Sequence, residues 1–277
     1  MAVPLKSTAK FSLKAKAKLL SGIGRYWELL HVLVARNLKV RYRGSFLGIF
    51  WSLLNPLLMT GLYTAIFGQA FAQYYGNSLV NYMLAAFTGL VVINFFSAST
   101  SQALVSVVAN GALLNKIRLP VSVFPLSMIT ANVFQLAVGV VPLLAIVTLV
   151  ISKSLVSVLA LLLPLLALIL VSVGVGFLLS ALYVFFRDLS YFYELVVFVI
   201  LFSTPLFYPA AIVPPRAKPL LEMNPLSPVI ECIRQIALSG MPPDLSLIWG
   251  ALLSGVIIFA LGWACFHWLR PQFMDLL

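Results

Sequence analysis

A chain of 277 residues that is 62% hydrophobic and only 9% charged, with a mean hydropathy of +1.08, has too little polar surface to cover a soluble globule of that size. The formal charge of +11 raises nucleic acid as a partner, but ten of the eighteen Lys and Arg precede residue 44, where an anchor on anionic lipid is the simpler reading and nucleic acid is set aside. Cys232 and Cys265 have neither metal-ligand nor redox spacing, so what remains is an all-α polytopic membrane protein.

Residues 1–24 hold five lysines and no acid, the composition of a basic N-terminal arm that is mobile or lies on a surface. Residues 25–45 follow as an amphipathic interface helix. At 100° per residue Arg25, Arg36, Lys39 and Arg43 share one face and Trp27, Leu30, Val34 and Leu38 the other. Arg36, Lys39, Arg41 and Arg43 are thereby offered to lipid head groups. Arg41 itself projects among the apolar residues; snorkelling to the surface is the simpler account, a specific contact the other. No further Lys, Arg, Asp or Glu occurs until Lys116, which marks the N-terminal side of this junction as cytoplasmic. Ala70-Phe71-Ala72 mimics a signal-cleavage site, but the apolar run before it (46–67) is too long and 45 residues precede it, so cleavage is rejected.

With about 20 apolar residues needed to cross a bilayer core, six transmembrane helices are predicted: 46–71, 83–107, 121–151, 155–185, 191–213 and 245–268. The third and fourth are over-long, and Pro142 and Pro164 are the expected kinks. Six spans place both termini on the cytoplasmic side. The resulting inner segments hold 14 Lys and Arg against 4 in the outer ones, as the positive-inside bias requires.

Three connections carry information. The turn 110–120 (NGALLNKIRLP) presents Lys116 and Arg118 around Ile117. Arg187-Asp188 between spans four and five suggests a local ion pair or a partner contact; an exposed pair contributes little stability, which favours the partner. The outer segment 205–243 contains nine prolines and cannot be one helix. Within it Ser227-Pro228 reads as an N-cap with proline at the first helical position and Gly240 as the stop, with Val229, Ile230, Ile233, Ile236 and Ala237 apolar and Glu231 and Arg234 facing elsewhere. That describes a short re-entrant or interfacial helix, too short to cross.

Catalytic chemistry is scarce. There is no G-x-x-x-x-G-K-[ST], no H-E-x-x-H and no carboxylate pair within a span; His31 and His267 are far apart, and no metal site is expected. Glu194 lies near the edge of span five, an interfacial acid paired with Arg187 or a neighbour rather than the midplane group of an ion-coupled carrier. Aromatics are plentiful. Tyr191, Tyr193, Phe198, Phe202, Phe207 and Tyr208 crowd span five and its outer end, where they would serve either a sugar-polymer path or a packed helix interface.

The blocks LKVRYRGSFLGIFWSLLNPLL, NKIRLPVSVFPLS, RDL with STPLFYP, and NPLSPVIECIRQ occur in this order from about residue 27 onward. Together they resemble the permease subunits of ABC type-2 exporters of O-antigens, teichoic acids and capsular polysaccharides. The resemblance implies a six-span domain over 46–277 in a bacterial plasma (inner) membrane, working as a homodimer with two copies of a separate ABC ATPase. ATP and Mg would then reside on that partner, and this chain would bind no cofactor and perform no hydrolysis. It further implies that Asn115, Lys116, Arg118, Arg187 and Asp188 couple to the ATPase and that the span-five aromatics line the channel. The outer segment with Pro225, Pro228, Glu231 and Arg234 would close its mouth, and Arg41 or Arg43 would meet the diphosphate of a lipid-linked polysaccharide. An outer-envelope partner is left open. Two other readings stand beside this one: a permease for a small hydrophobic drug or lipid, and a membrane scaffold or glycan-modifying protein with no ATPase partner.

Overall fold

The computed structural model describes residues 6–116, 119–216, 218–222, 224–238 and 244–276, with side chains from residue 23 onward except at 220 and 222. Among these residues there are helices and turns and no strand. Helix α1 (Lys6–Tyr42) runs without a break through both the expected arm and the expected interface helix. It ends at Gly44, whose φ of 76° is open to glycine at little cost. The others are α2 (Trp51–Phe71), α3 (Leu79–Ala109), α4 (Gly111–Leu114), α5 (Val123–Gly139), α6 (Val141–Ser152), α7 (Leu155–Ala160), α8 (Leu162–Phe185), α9 (Leu189–Ser203), α10 (Lys218–Glu222), α11 (Leu226–Leu238), α12 (Leu245–Leu269) and α13 (Phe273–Leu276).

Among the described residues four helical stretches are long and apolar enough to cross a membrane: Gly48–Tyr75, Leu79–Ala109, Leu155–Phe185 and Leu245–Leu276. The pair α5 and α6, bent by 42°, makes a fifth if it is one span. Pro142 lies in the first turn of α6, and the α7–α8 junction falls at Leu161, three residues before Pro164. Each proline removes a helix hydrogen bond and crowds the preceding turn, so the bends fall beside them. Proline also sets the difference from the expected six spans. The predicted helix 191–213 ends at Ser203, because Pro205 cannot donate and drives Thr204 to extended backbone (φ −90°, ψ 132°). At 1.5 Å per residue, the 15 residues of α9 measure about 22 Å, short of a hydrocarbon core of roughly 30 Å.

The tightest contact joins α8 and α12. A Cβ at Gly262 would overlap the Gly174 carbonyl, one at Gly174 would lie 2.6 Å from the Ile258 carbonyl carbon, and one at Gly255 would lie 3.0 Å from the Ala167 oxygen. These small residues recur at seven-residue intervals on both helices (167 and 174, 255 and 262), so the two backbones touch along a seam. Where apolar side chains gain little by leaving lipid, such close packing is what joins helices.

Two clusters cap the bundle at opposite ends. At one end Leu30 and Leu33 of α1 meet Leu114 of α4, Phe124 of α5, Val184 of α8, Phe266 of α12 and Phe273 of α13. The start of the described side chains, the 110–120 turn and the C-terminal helix therefore share one end. At the other, α11 buries Leu226, Val229, Ile230, Ile233 and Ile236 against α3, α6, α7 and α12. By contrast α2 and α9 leave apolar faces uncovered: Leu58, Leu62 and Ile66 on one, Leu195, Phe198 and Phe202 on the other.

Gly262→Leu is expected to force α12 off α8 and lower the thermal midpoint of the detergent-purified protein, overpacking costing about 1–3 kcal/mol or more. Gly250→Ala, with nothing within 4 Å of the added Cβ, is expected to leave it unchanged. Equal midpoints for the two variants would remove the seam as a determinant of the fold.

Candidate functional site

Helix α1 lies along α5, and the two run in the same sense. Tyr26 Oη and Ser122 Oγ are 3.4 Å apart, Asn37 Nδ2 donates to Ser127 Oγ at 3.2 Å, and Arg41 reaches Asn132 and Gln135. Residues 26, 30, 33, 37 and 41 form one stripe at helical spacing, so the packed face carries polar residues on either side of Leu30 and Leu33. Burial pushes the Tyr26 phenol above its usual range, the Ser122 contact only partly opposing it. The face differs from the predicted one: Trp27 is 64% exposed, and Leu33 takes the inward place.

Arg41 ends the stripe. Its Nη1 donates to Asn132 Oδ1 at 2.8 Å and Gln135 Oε1 at 2.6 Å, and its Nη2 donates to Gln102 Oε1 of α3. Asn132 Nδ2 bonds Gln102 Oε1 at 3.1 Å and the Met128 carbonyl at 3.1 Å. Snorkelling is thus replaced by the specific contact. Asn132 is nine residues into α5, about 14 Å along its axis, and the guanidinium is held there by neutral carboxamides. No Asp or Glu occurs between Glu28 and Asp188, so no segment of α2 to α8 can supply a carboxylate.

Beside this cluster lies a cavity of about 490 Å³, lined by Arg41, Tyr42, Trp51, Asn55, Asn94 and Gln135 among others. Its wall closes where α2 meets α5: a Cβ at Gly139 would lie 3.6 Å from Ser52 Cβ and overlap its hydroxyl, while Ser52 Oγ caps the Ile49 carbonyl at 2.7 Å. Burial pushes the Tyr42 phenol up, and the neighbouring Arg41 charge pulls it back only in part, so it stays a neutral hydroxyl at physiological pH.

A second arginine lies at the opposite end. Arg234 of α11, 8% exposed, donates from Nε and Nη2 to the Ala85 carbonyl at 3.1 and 3.0 Å and from Nη2 to the Pro205 carbonyl at 2.8 Å. The break after α9 is further pinned by Tyr82 Oη donating to the Phe207 carbonyl (2.9 Å), by Phe207 stacked on Tyr63 (3.7 Å between centroids) and by Asn224 Nδ2 donating to Thr204 Oγ1 (2.7 Å). The two arginines thus mark two polar sites, one beside a cavity and one at a helix break.

Residues 28–238 match the family model described as ABC-2 type transporter. The chain belongs to the ABC-2 type transporter family. Relatives named O-antigen export system permease protein RfbA come from Klebsiella pneumoniae (29% identity over 94% of this chain and 99% of the relative; a second at 28%, also 94% and 99%) and Myxococcus xanthus (26%, over 93% and 98%).

Within this ABC-2 fold the predicted residues separate. Asn115 and Lys116 are exposed just after α4, and Arg187 and Asp188 are exposed between α8 and α9; Arg118 lies outside the described residues. Arg187 reaches the Leu276 carbonyl at 3.5 Å and lies 5.7 Å from the Tyr183 ring centroid, in place of the suggested pair with Asp188. Arg36, Lys39 and Arg43 are exposed, and Arg36 approaches Asn110 Oδ1 at 3.4 Å. Of the six aromatics, Tyr191, Phe198 and Phe202 are exposed along one face of α9. Tyr193 faces inward, its hydroxyl 2.5 Å from Thr100 Oγ1, and Tyr208 Oη bonds the Phe202 carbonyl at 2.8 Å.

In the proline-rich segment after α9 Glu231 is exposed and Pro225 and Pro228 half-buried, but Arg234, expected to face away from the apolar side, is buried. A guanidinium carries enough donors to answer carbonyls at a broken helix, so it is drawn inward. The cap also shifts: Asn224 Oδ1 accepts the Leu226 N–H at 3.0 Å while Ser227 Oγ turns to the Leu221 carbonyl at 2.8 Å; Gly240 lies outside the described residues. Gln102, Asn132 and Gln135 are not among the residues that the sequence reading names. The signal was there, since carboxamides inside apolar spans seek polar partners within the bundle.

Arg234→Met is expected to cost about 2–4 kcal/mol and to expose the 204–238 segment to protease, because two carbonyls lose their donor. Arg234→Lys should recover less than half, since one ammonium does not reproduce the planar fork. An unchanged thermal midpoint and protease pattern in Arg234→Met would remove this lock.

Proposed function

We propose that this chain is the membrane-spanning subunit of an ATP-driven exporter that carries lipid-linked polysaccharide out of the cytoplasm across a bacterial plasma membrane. The observation that carries the reading is the likeness over 94% of the chain, and 99% of the relative, to an O-antigen export permease. α2, α3, the α5–α6 pair, α7–α8, α9 with the extended segment after it, and α12 make six crossings, and the basic N-terminal region faces the cytoplasm with the C-terminus.

Two copies of the chain form the channel. The uncovered apolar faces of α2 and α9 support this, because contiguous exposed apolar surface is either lipid-facing or an interface, and Tyr191, Phe198 and Phe202 sit on it. Two copies of a separate ATPase hold ATP and Mg. They engage the exposed Asn115, Lys116, Arg187 and Asp188, together with Arg118. ATP binding brings the ATPase subunits together, pushes on these loops, and opens the path that α11 closes at the outer end. Arg36, Lys39 and Arg43 rest on anionic head groups.

Lys116→Glu combined with Arg187→Glu is expected to reduce recovery of the ATPase with the tagged permease at least about tenfold, since reversing charges at an interface costs several kcal/mol, and to leave polymer inside the cell. Deleting the gene and separating cytoplasmic from surface polysaccharide tests the cargo: normal surface polymer would sink the export reading.

A further inference from the structure

α9 turns a stripe of Leu189, Tyr193, Val196, Val197 and Ile200 toward the bundle, and of these only Tyr193 is buried. Leu104 of α3 and Leu179 of α8 enclose its ring. A phenylalanine ring would fill that place equally well, so the hydroxyl is the part that packing does not account for. It lies 2.5 Å from Thr100 Oγ1, and Thr100 is itself fully buried. Among the described residues this is the one side-chain hydrogen bond that ties α9 to another helix.

The direction of the bond follows from the proton count. Thr100 has one hydroxyl proton, and its Oγ1 lies 2.7 Å from the Phe96 carbonyl, so it donates there and accepts from Tyr193. The two partners are therefore unequal. Without the Tyr193 hydroxyl, Thr100 keeps its bond within α3. Without the Thr100 hydroxyl, the phenol is left bare among apolar side chains, which is costly.

The bond sits between two exposed turns. Thr100 is nine residues from Ala109, the end of α3, and Tyr193 is four from Leu189, the start of α9, about 14 Å and 6 Å along the two axes. Just beyond lie the turns that expose Asn115 with Lys116 and Arg187 with Asp188, and Leu114 and Val184 beside them share one apolar cluster. α8 and α9 flank the second turn. α8 packs along α3, which fixes the α8 flank, and the Tyr193–Thr100 bond fixes the α9 flank. A hydrogen bond between membrane helices adds little stability on average. It does set direction as well as distance, which the apolar contacts with Leu104 and Leu179 do not.

We propose that Tyr193 and Thr100 are a positioning pair that holds the two exposed turns in one relative placement, so that a push on either moves α3 and α9 together. That an ATPase delivers the push rests on the export reading above. The placement rests on geometry alone.

The test puts spin labels at Ala112→Cys and Phe192→Cys, exposed sites beside the two turns, in full-length Cys265→Ala protein in lipid nanodiscs; Cys232 is buried. One narrow distance is expected, and Tyr193→Phe is expected to broaden it. In cells, Tyr193→Phe, Thr100→Val and the double variant should each slow the arrival of polymer at the surface roughly threefold or more, the factor that an average interhelical hydrogen bond represents. Recovery of the ATPase with the permease should stay at the wild-type level. Thermal midpoints should sort differently: unchanged in Tyr193→Phe, lowered in Thr100→Val, and restored in the double variant, where no hydroxyl is orphaned. Should Thr100→Val fail to fold, Tyr193→Phe decides, because it orphans no group. An unbroadened distance overturns the positioning pair, as does polymer export that follows the midpoint instead of the bond. A broadened distance in a protein whose deletion leaves surface polymer normal would remove the export reading and keep the pair. Lost surface polymer on deletion with an unbroadened distance would do the reverse.

Discussion

The two arginines inside the bundle are both held by neutral oxygens. Arg41 bonds three carboxamides, and Arg234 bonds the carbonyls of Ala85 and Pro205. A charge taken out of water loses several kcal/mol of solvation even after relaxation, and an opposite charge recovers part of that by neutralising it. Dipoles recover it differently: they stabilise the cation and leave its charge in place. At Arg234 the consequence is mechanical, because the donors answer a carbonyl at the Pro205 break and fix α11 against α3. At Arg41 it is electrostatic, because an unneutralised charge faces an open cavity.

One helix touches both. Ala85 and Gln102, the acceptors on α3, are 17 residues apart, about 26 Å along the axis. Between them Thr100 meets the Tyr193 hydroxyl of α9, and just beyond, Asn110 leads into the exposed turn with Asn115 and Lys116. α3 is also the most deeply enclosed of the spans, with 67% of its apolar window buried against 11% for α2. The turn after α4, the arginine cluster, the first half of α9 and α11 therefore hang from a single stiff element.

Much of this was legible in the sequence, and the limits have physical reasons. Hydropathy locates the apolar segments, and Pro142 and Pro164 mark their breaks, because both signals are local. Pro205 is one of the nine prolines of 205–243, yet hydropathy carries the span on to Val213; apolar composition continues past a proline that the helix does not. For α1 the periodicity identified an amphipathic helix but misplaced Trp27, since which flank of an apolar stripe packs inward depends on α5. Arg41 and Arg234 were both singled out as residues, whereas their surroundings come from α3, α5 and the 204–208 segment, distant in sequence. Tyr193 shows the same thing: its neighbours Tyr191 and Phe192 are exposed, and only the approach of Thr100 explains its inward turn.

The contrast between seams completes the mechanical picture. α8 and α12 meet through glycine backbones with no side chains between them, an arrangement that slides or separates only by breaking many contacts at once. α2 has no glycine seam of that kind; it packs along α3, where a Cβ at Gly68 would lie 2.9 Å from Leu79, and meets Gly139 through Ser52 at its start and Phe207 through Tyr63 further along. Ser52, Asn55 and Pro56 of α2 line the Arg41 cavity, so part of its wall belongs to the less enclosed element. The charge itself is held by Gln102 of α3 and by Asn132 and Gln135 of α5, so the groups that fix it belong to the core and none of them to this part of the wall.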